Sequence, residues 1–159
     1  MKYLIEQGAD VNKEANCGST PLFNACSSGN ENLVKYLIEL GTDMNKIDEL
    51  GYTPLFDACE SGNEDLVKYL IDLGANANSE NEYGETPLFK ACKSWNENMV
   101  KYLIELGADI NKEENFDNLS PLIWACSSGN INLVKYLIGL GANTTVKLMF
   151  WVVQVKMKI

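Results

Sequence analysis

Histidine, the residue that most often serves as a general base or metal ligand, is absent from this 159-residue chain. The usual partner of a nucleophilic serine or cysteine is therefore missing, and so is the commonest zinc ligand. Neither Gly-x-Gly-x-x-Gly nor Gly-x-x-x-x-Gly-Lys occurs, so the familiar phosphate-binding loops are also absent. We expect a chain with no catalytic activity, no bound metal and no cofactor.

Five cysteines are the next candidates for chemistry. Four of them recur at offsets of 33, 33 and 34 residues: Cys26, Cys59, Cys92 and Cys126. If these positions lie on packed helices about 8 to 10 Å apart, they are too distant for disulfides, which need Cα atoms within about 7 Å. We therefore expect buried thiols that act as small apolar side chains. Cys17 is out of this register and should be exposed, with a reactive or regulatory role as the alternative.

Paired carboxylates could indicate a glycosidase or a metal site. Two such pairs occur, Glu80 with Glu82 and Glu113 with Glu114. Both lie in segments rich in Asn and Glu, which are typical of solvated loops. We interpret all four as solvated charge.

Composition and charge exclude several classes of partner. The apolar fraction of 46% is enough for one domain with a sizeable core, and the formal net charge of -9 repels nucleic acid and anionic lipid. The longest apolar run, residues 148–153, is far shorter than the roughly 18 to 20 residues of a membrane-spanning helix. The amino-terminal MKYLIEQGAD lacks the apolar stretch of a secretory signal. We expect a cytoplasmic protein that binds neither nucleic acid nor membranes.

A fixed period organises most of the chain. The phrase Thr-Pro-Leu-Phe, which becomes Ser-Pro-Leu-Ile in its last copy, begins at Thr20, Thr53, Thr86 and Ser120. The phrase Lys-Tyr-Leu-Ile begins at Lys2, Lys35, Lys68, Lys101 and Lys135. A period of this length predicts a solenoid in which each unit buries its apolar face only against its neighbours.

Within one unit, local signals predict two helices. Thr20 can cap a first helix through its hydroxyl, and Pro21 suits the first helical position. Gly29 predicts a stop in the left-handed conformation, and Asn30 can cap a second helix. In that second helix, apolar residues lie on one stripe, while an acidic residue stands four positions before a lysine on the solvated side: Glu31 and Lys35, Glu64 and Lys68, Glu97 and Lys101.

This pattern, G-x-TPLF-x-AC-xx-GN-x-NLVKYLI-x-LGAD-x-N, resembles the ankyrin repeat over residues 1 to about 145. The resemblance implies an all-α solenoid of stacked antiparallel helix pairs with projecting β-hairpin loops. It also implies a non-catalytic scaffold or adaptor module that binds another protein across the hairpin tips and first helices. We divide the chain into a half unit at residues 1–17, full units at 18–50, 51–83 and 84–117, a last unit at 118–145, and a tail at 146–159.

Three departures from the pattern carry expectations of their own. The ankyrin repeat often has histidine after Thr-Pro-Leu, which makes a polar network between units. This chain has apolar residues at that position, and we expect apolar packing instead of the network: Phe23, Phe56, Phe89 and Ile123. Trp95 replaces the glycine that ends the first helix, so we expect a reshaped turn there. Asp117 is an extra residue if Asn118 takes the glycine position of its loop, which predicts a small bulge.

The resemblance places the partner against the loop tips and the ends of the first helices. The candidates are the large or charged residues there: Glu49, Leu50, Tyr52, Glu60, Glu82, Tyr83, Glu85, Lys93, Trp95, Phe116 and Leu119. Aromatic anchors among carboxylates suit a partner segment with apolar side chains and Lys or Arg. For Leu50, Tyr83 and Phe116 the alternative is packing against neighbouring loops, and for Trp95 it is filling a gap between helix pairs.

Both ends of the chain are irregular. Residues 1–12 match only the second half of a unit, so Leu4 and Ile5 lack a covering helix, and we expect a fragment of a longer array. The tail VKLMFWVVQVKMKI at 146–159 could cap the last helix pair, form a homodimer contact, or be a non-native terminus. An alternative function is therefore structural self-association through these apolar ends.

Overall fold

The computed structural model describes residues 7–144. This part of the chain contains eight helices in four pairs: α1 (Pro21–Ser27), α2 (Glu31–Glu39), α3 (Pro54–Ser61), α4 (Glu64–Asp72), α5 (Pro87–Lys93), α6 (Glu97–Glu105), α7 (Pro121–Ser128) and α8 (Ile131–Gly139). The first helix of each pair, here called the inner helix, packs against the inner helices of the neighbouring pairs and against its own second, outer helix. The predicted all-α solenoid of stacked pairs is confirmed.

The outer helices begin as the sequence predicts. The side-chain oxygen of Asn30 accepts a hydrogen bond from the Leu33 amide at 3.0 Å, and the asparagines of the other three units make the equivalent bond. Two of these asparagines also connect successive units, because the Asn63 amide donates to the Gly29 carbonyl at 2.9 Å and the Asn96 amide donates to the Gly62 carbonyl at 3.0 Å. A single residue type thus starts each outer helix and joins neighbouring pairs.

The inner helices begin without the predicted side-chain cap. Pro21 takes the first helical position, but the hydroxyl of Thr20 caps nothing. The hydroxyls of Thr20 and Thr86 are buried and have no hydrogen-bond partner among residues 7–144. The residue three positions later is phenylalanine, which has no polar atom to pair with a buried hydroxyl. The prediction of a Thr20 cap is therefore wrong, whereas the predicted apolar packing at Phe23, Phe56, Phe89 and Ile123 is confirmed, since all four are buried.

The thiols in the repeat register lie in the core. Cys26, Cys59 and Cys92 are buried and free, and burial raises the pKa of Cys26 to about 12. Cys126 is only half-buried, because no further pair within residues 7–144 covers it, so the expectation of burial is wrong for this thiol. Cys17 is exposed, as predicted. A hydrogen bond with the Ser19 hydroxyl, 3.1 Å away, lowers the pKa of its thiol.

The turns between inner and outer helices all use a left-handed residue. Gly29, Gly62 and Gly129 have φ values of 64°, 77° and 75°. Trp95 stands at the same position with φ 69°, so the predicted reshaping of this turn is wrong. The tryptophan adopts the left-handed conformation of the glycines, which is sterically unfavourable for a residue with a side chain.

The projecting loops are present at the expected places, but they contain turns and no strand occurs among residues 7–144, so the β-hairpin form implied by the resemblance is not observed. A backbone hydrogen bond across its base closes each loop, such as that from the Asp48 amide to the Tyr52 carbonyl at 3.0 Å. In the last loop the bond from the Glu114 amide to the Leu119 carbonyl spans one residue more than in the others. Asn118 has φ 52° there, which confirms the predicted bulge.

None of the helices found between residues 7 and 144 is long and apolar enough to cross a membrane. Leu4, Ile5 and the tail at 146–159, on which the self-association and homodimer hypotheses depend, lie outside the described residues.

Candidate functional site

Backbone hydrogen bonds join the four projecting loops into one row. The Glu49 amide donates to the Cys17 carbonyl at 3.0 Å, and the Glu82 amide donates to the Leu50 carbonyl at 2.9 Å. A third bond, from the Asn115 amide to the Tyr83 carbonyl, measures 2.8 Å. Side chains on these loops therefore hold fixed positions relative to one another, which suits a surface that binds a rigid or extended partner.

In the last three of the four loops, one side chain at the start of the loop organises its turn. The Asp48 carboxylate accepts from the amides of Leu50 and Tyr52, both at 2.9 Å. The Asn81 side-chain oxygen does the same for Tyr83 and Glu85, at 3.0 and 2.9 Å. Such contacts are the usual way in which Asp and Asn fix a turn.

Glu114 is the third organiser and uses a longer side chain for a longer loop. It is buried, and its carboxylate accepts from the amides of Phe116 at 2.8 Å, Asp117 at 2.6 Å and Leu119 at 3.1 Å. The interpretation of Glu114 as solvated charge is therefore wrong. Sequence reasoning missed this role, although Asp48, Asn81 and Glu114 recur at a spacing of 33 and each carries an acceptor.

Three aromatic rings lie side by side along the row of loops. The ring centroids of Tyr52 and Tyr83 are 6.3 Å apart, and those of Tyr83 and Phe116 are 5.6 Å apart. Tyr52 and Tyr83 are half-buried, whereas Phe116 is 70% exposed. We call these three residues the aromatic row. The packing alternative for Tyr83 and Phe116 is observed, because the rings contact each other, and partner contact at the exposed Phe116 stays a prediction.

Tyr52 also belongs to the structural core of the row. Its ring contacts Phe56 edge to face with centroids 5.2 Å apart, and its hydroxyl donates to the Glu85 carboxylate at 2.9 Å. Burial, followed by this bond to Glu85, raises the pKa of the Tyr52 hydroxyl. The Asn81 amide donates to the same Glu85 oxygen at 2.9 Å. The Glu85 carboxylate is thus largely occupied by hydrogen bonds within the protein.

The inner helices add a charged cluster beside the row. Glu60 on α3 pairs with Lys93 at 2.7 Å and with Lys90 at 3.6 Å, both on α5. Burial alone would raise the pKa of the Glu60 carboxyl, but the two lysines outweigh it and lower this pKa. Lys90 also lies 5.0 Å from the centroid of Tyr52. The candidates Glu60 and Lys93 therefore neutralise each other.

Among the described residues, two carboxylates on the loop tips have no cation beside them, whereas a third, Asp57 on α3, lies near Lys90. Glu49 and Glu82 are exposed on the loop tips, and neither makes an ion pair within the part of the chain that the structure describes. Asp57, half-buried on α3 beside Glu60, accepts no hydrogen bond from any described residue. Burial, and next the charge of Glu60, raise the pKa of Asp57 to about 6. The charge of Lys90 opposes this rise, so Asp57 and Glu60 together balance the two lysines of α5.

The remaining candidates differ in position. Leu50 is exposed and Leu119 is half-buried, both on the loops. Trp95 is 65% exposed, which excludes the alternative that it fills a gap between helix pairs. It follows the carboxyl end of α5, whereas the loop precedes its amino end, so about 10 Å of helix separates Trp95 from the aromatic row. The structure therefore brings the loop candidates together but not Trp95.

Replacing Trp95 with glycine is expected to raise the free energy of unfolding by about 1 to 2 kcal/mol, because only glycine adopts this conformation without a steric cost. The exposed indole has little packing to lose in exchange. Urea unfolding of both proteins measures the difference. Gly129→Ala is the matched control: it adds a side chain at the same conformation with no atom within 4 Å, and it should lower stability. A Trp95→Gly variant less stable than the parent would contradict the assignment of strain.

Among residues 7–144 no group of three or more His, Cys, Asp or Glu side chains is placed to hold a metal ion. In a comparison with known families, the model described as "Ankyrin repeats (3 copies)" matches residues 1–81 and residues 73–147. The chain matches none of the curated proteins.

Proposed function

The chain belongs to the ankyrin repeat family, and we propose that it binds a partner protein along the aromatic row and the adjoining inner helices. Ankyrin repeats are generally protein-protein interaction modules and are typically non-catalytic. The observation that carries the proposal is the aromatic row itself, whose rings are fixed by linked loops while Phe116 remains 70% exposed. Exposed rigid aromatic rings are frequent anchors of protein interfaces.

The charge around the row indicates the chemistry of the partner. Glu85 is engaged within the chain, and Glu60 and Asp57 are offset by Lys90 and Lys93, so the negative charge that remains beside the row is that of Glu49 and Glu82 on the loop tips. A partner segment with one or two Lys or Arg side chains beside apolar ones would match both features of the surface. Leu50 and Leu119 would contribute the apolar border.

A scaffold or adaptor role in the cytoplasm, without catalysis, completes the proposal. Support for this location comes from the cysteines, because all five are unpaired and disulfides are rare in the cytosol. Trp95 is a separate contact in this proposal, since the length of α5 separates it from the row.

The test is a selection of random peptides displayed against the full chain, followed by affinity measurements on the enriched sequences. We expect peptides that combine Lys or Arg with aromatic or aliphatic residues. Phe116→Ala should weaken their binding by 1 kcal/mol or more, which is about fivefold or more in Kd. Glu82→Gln should weaken binding less and mainly reduce its salt dependence.

Leu73→Ala is the matched control. Leu73 is also a large exposed apolar residue, but it follows α4 on the outer side of the stack, so its replacement should not affect binding. Selected peptides that are acidic, or that bind the Phe116→Ala variant as tightly as the parent, would refute the proposed surface. Circular dichroism of each variant verifies that the helices are intact.

A further inference from the structure

The last outer helix differs from the three before it in its charge. Helices α2, α4 and α6 each begin with a glutamate that pairs with a lysine one turn later: Glu31 with Lys35, Glu64 with Lys68, Glu97 with Lys101. In α8 the glutamate position is Ile131, and the helix contains no acidic residue. Lys135 consequently has no ion-pair partner between residues 7 and 144. The solvated side of the other outer helices has become apolar in this one.

Three residues of α8 form an apolar surface that nothing in the described part of the chain covers. Ile131, Val134 and Ile138 are spaced i, i+3 and i+7, so they lie on one side of the helix, and we call them the end stripe. Ile131 is 67% exposed and Ile138 is 44% exposed. Val134 is half-buried, whereas the equivalent valines of the other pairs are fully buried: Val34, Val67 and Val100. A solenoid end of this kind requires a cover.

We propose that the tail at residues 146–159 of the same chain packs on the end stripe as an intrachain cap. The tail begins a few residues beyond the carboxyl end of the helix that carries the stripe, since α8 ends at Gly139 and the described residues end at 144. Helix α8 is about 13 Å long, and fourteen extended residues reach about 46 Å, so the tail can cover the whole stripe.

The composition of the tail fits this surface. It contains the unbroken apolar run at residues 148–153 and no Asp or Glu, so covering the stripe buries no carboxylate. Its three lysines have long aliphatic stems that can lie on an apolar surface while their amino groups remain in water. Attachment to residue 144 gives the tail a high effective concentration at the stripe, which a second copy of the chain lacks.

A double-mutant cycle in the full chain tests the cap. One change is Ile131→Glu. The other three outer helices carry glutamate at this position, and the new carboxylate could pair with Lys135. The other is the tail variant Phe150→Ser with Trp151→Ser. In the parent background the tail variant should raise the unfolding equilibrium constant roughly tenfold, and in the Ile131→Glu background it should have little effect. Urea unfolding measures both.

Ile47→Glu is the matched background. Ile47 is 58% exposed, far from α8 along the stack, and stands where the other loops carry glutamate: Glu14, Glu80 and Glu113. The tail variant should retain its full effect there. Equal effects of the tail variant in all three backgrounds would overturn the cap. Sedimentation velocity at several concentrations should show a monomer; a dimer that the tail variant dissociates would assign the stripe to a second copy and would also overturn it.

Discussion

Phe56→Ala is expected to lower the free energy of unfolding by about 3 to 5 kcal/mol, the usual cost of removing a buried phenylalanine. Phe56 is 1% exposed on α3, in the middle of the described stack, and its ring supports Tyr52 with centroids 5.2 Å apart. The substitution leaves a cavity between pairs and removes support from the aromatic row. Urea unfolding followed by circular dichroism measures the loss.

Phe116→Ala is the matched control, because it deletes the same side chain where it is 70% exposed. We expect a loss below about 1 kcal/mol, since little apolar surface returns to water. Comparable losses at Phe56 and Phe116 would mean that the exposed loop ring contributes as much to stability as the buried inner-helix ring, which contradicts the expectation. A split transition in Phe56→Ala would indicate that the central pair has lost its coupling to its neighbours.

The residues that repeat explain why the fold could be predicted. Pro21 and Gly29 act through their own backbone conformation, and the Asn30 side chain accepts from an amide three residues later, so the local sequence specifies the helix bounds. The i, i+4 pairs of the outer helices followed from spacing alone and are observed, as for Glu64 with Lys68 at 2.6 Å. Local chemistry repeated at a fixed period leaves few alternatives to a solenoid.

The predictions that were wrong concern residues whose conformation depends on the packing of neighbouring helices. The neighbouring turns show that the geometry at Trp95 is set by the two helices it joins, so the tryptophan adopts φ 69° despite its preference. The Thr20 hydroxyl was expected to follow its capping propensity, yet it is buried without a partner. In both cases the packing of whole helices outweighs a local preference of about 1 kcal/mol.

The candidate surface was predicted as a set of residues but not as a network. The sequence could place Tyr52 and Glu85 on the loops and Glu60 and Lys93 at the ends of the first helices. It could not pair them, because pairing depends on distances between neighbouring units. Once Tyr52 donates to Glu85 and Lys93 bonds Glu60, these carboxylates lose much of their availability to a partner. The charge available to a partner therefore shifts toward the tips, at Glu49 and Glu82.

Glu114→Ala is expected to lower the free energy of unfolding by roughly 2 to 3 kcal/mol, because it removes the acceptor of three backbone amides in a loop that buries this carboxylate. The loop should also lose the conformation that holds Phe116 beside Tyr83, so peptides that depend on Phe116 should bind more weakly. Glu113→Gln, a change at the exposed neighbouring carboxylate, is the matched control and should alter stability by less than about 0.5 kcal/mol.

The pH dependence of the Glu114 contribution follows from its hydrogen bonds. Burial alone would raise the pKa of this carboxyl, but the amides of the loop outweigh burial and hold the pKa below the ordinary value of 4.5. The stabilisation is therefore complete above about pH 4.5 and is lost as the pH falls through the lower folded-state pKa. Glu114→Gln keeps one acceptor but no charge, so its stability deficit should be full near pH 7 and should shrink on acidification to about pH 3. A deficit that stays constant over this range would mean that the shape of the Glu114 side chain, and not its charge, holds the loop that presents Phe116.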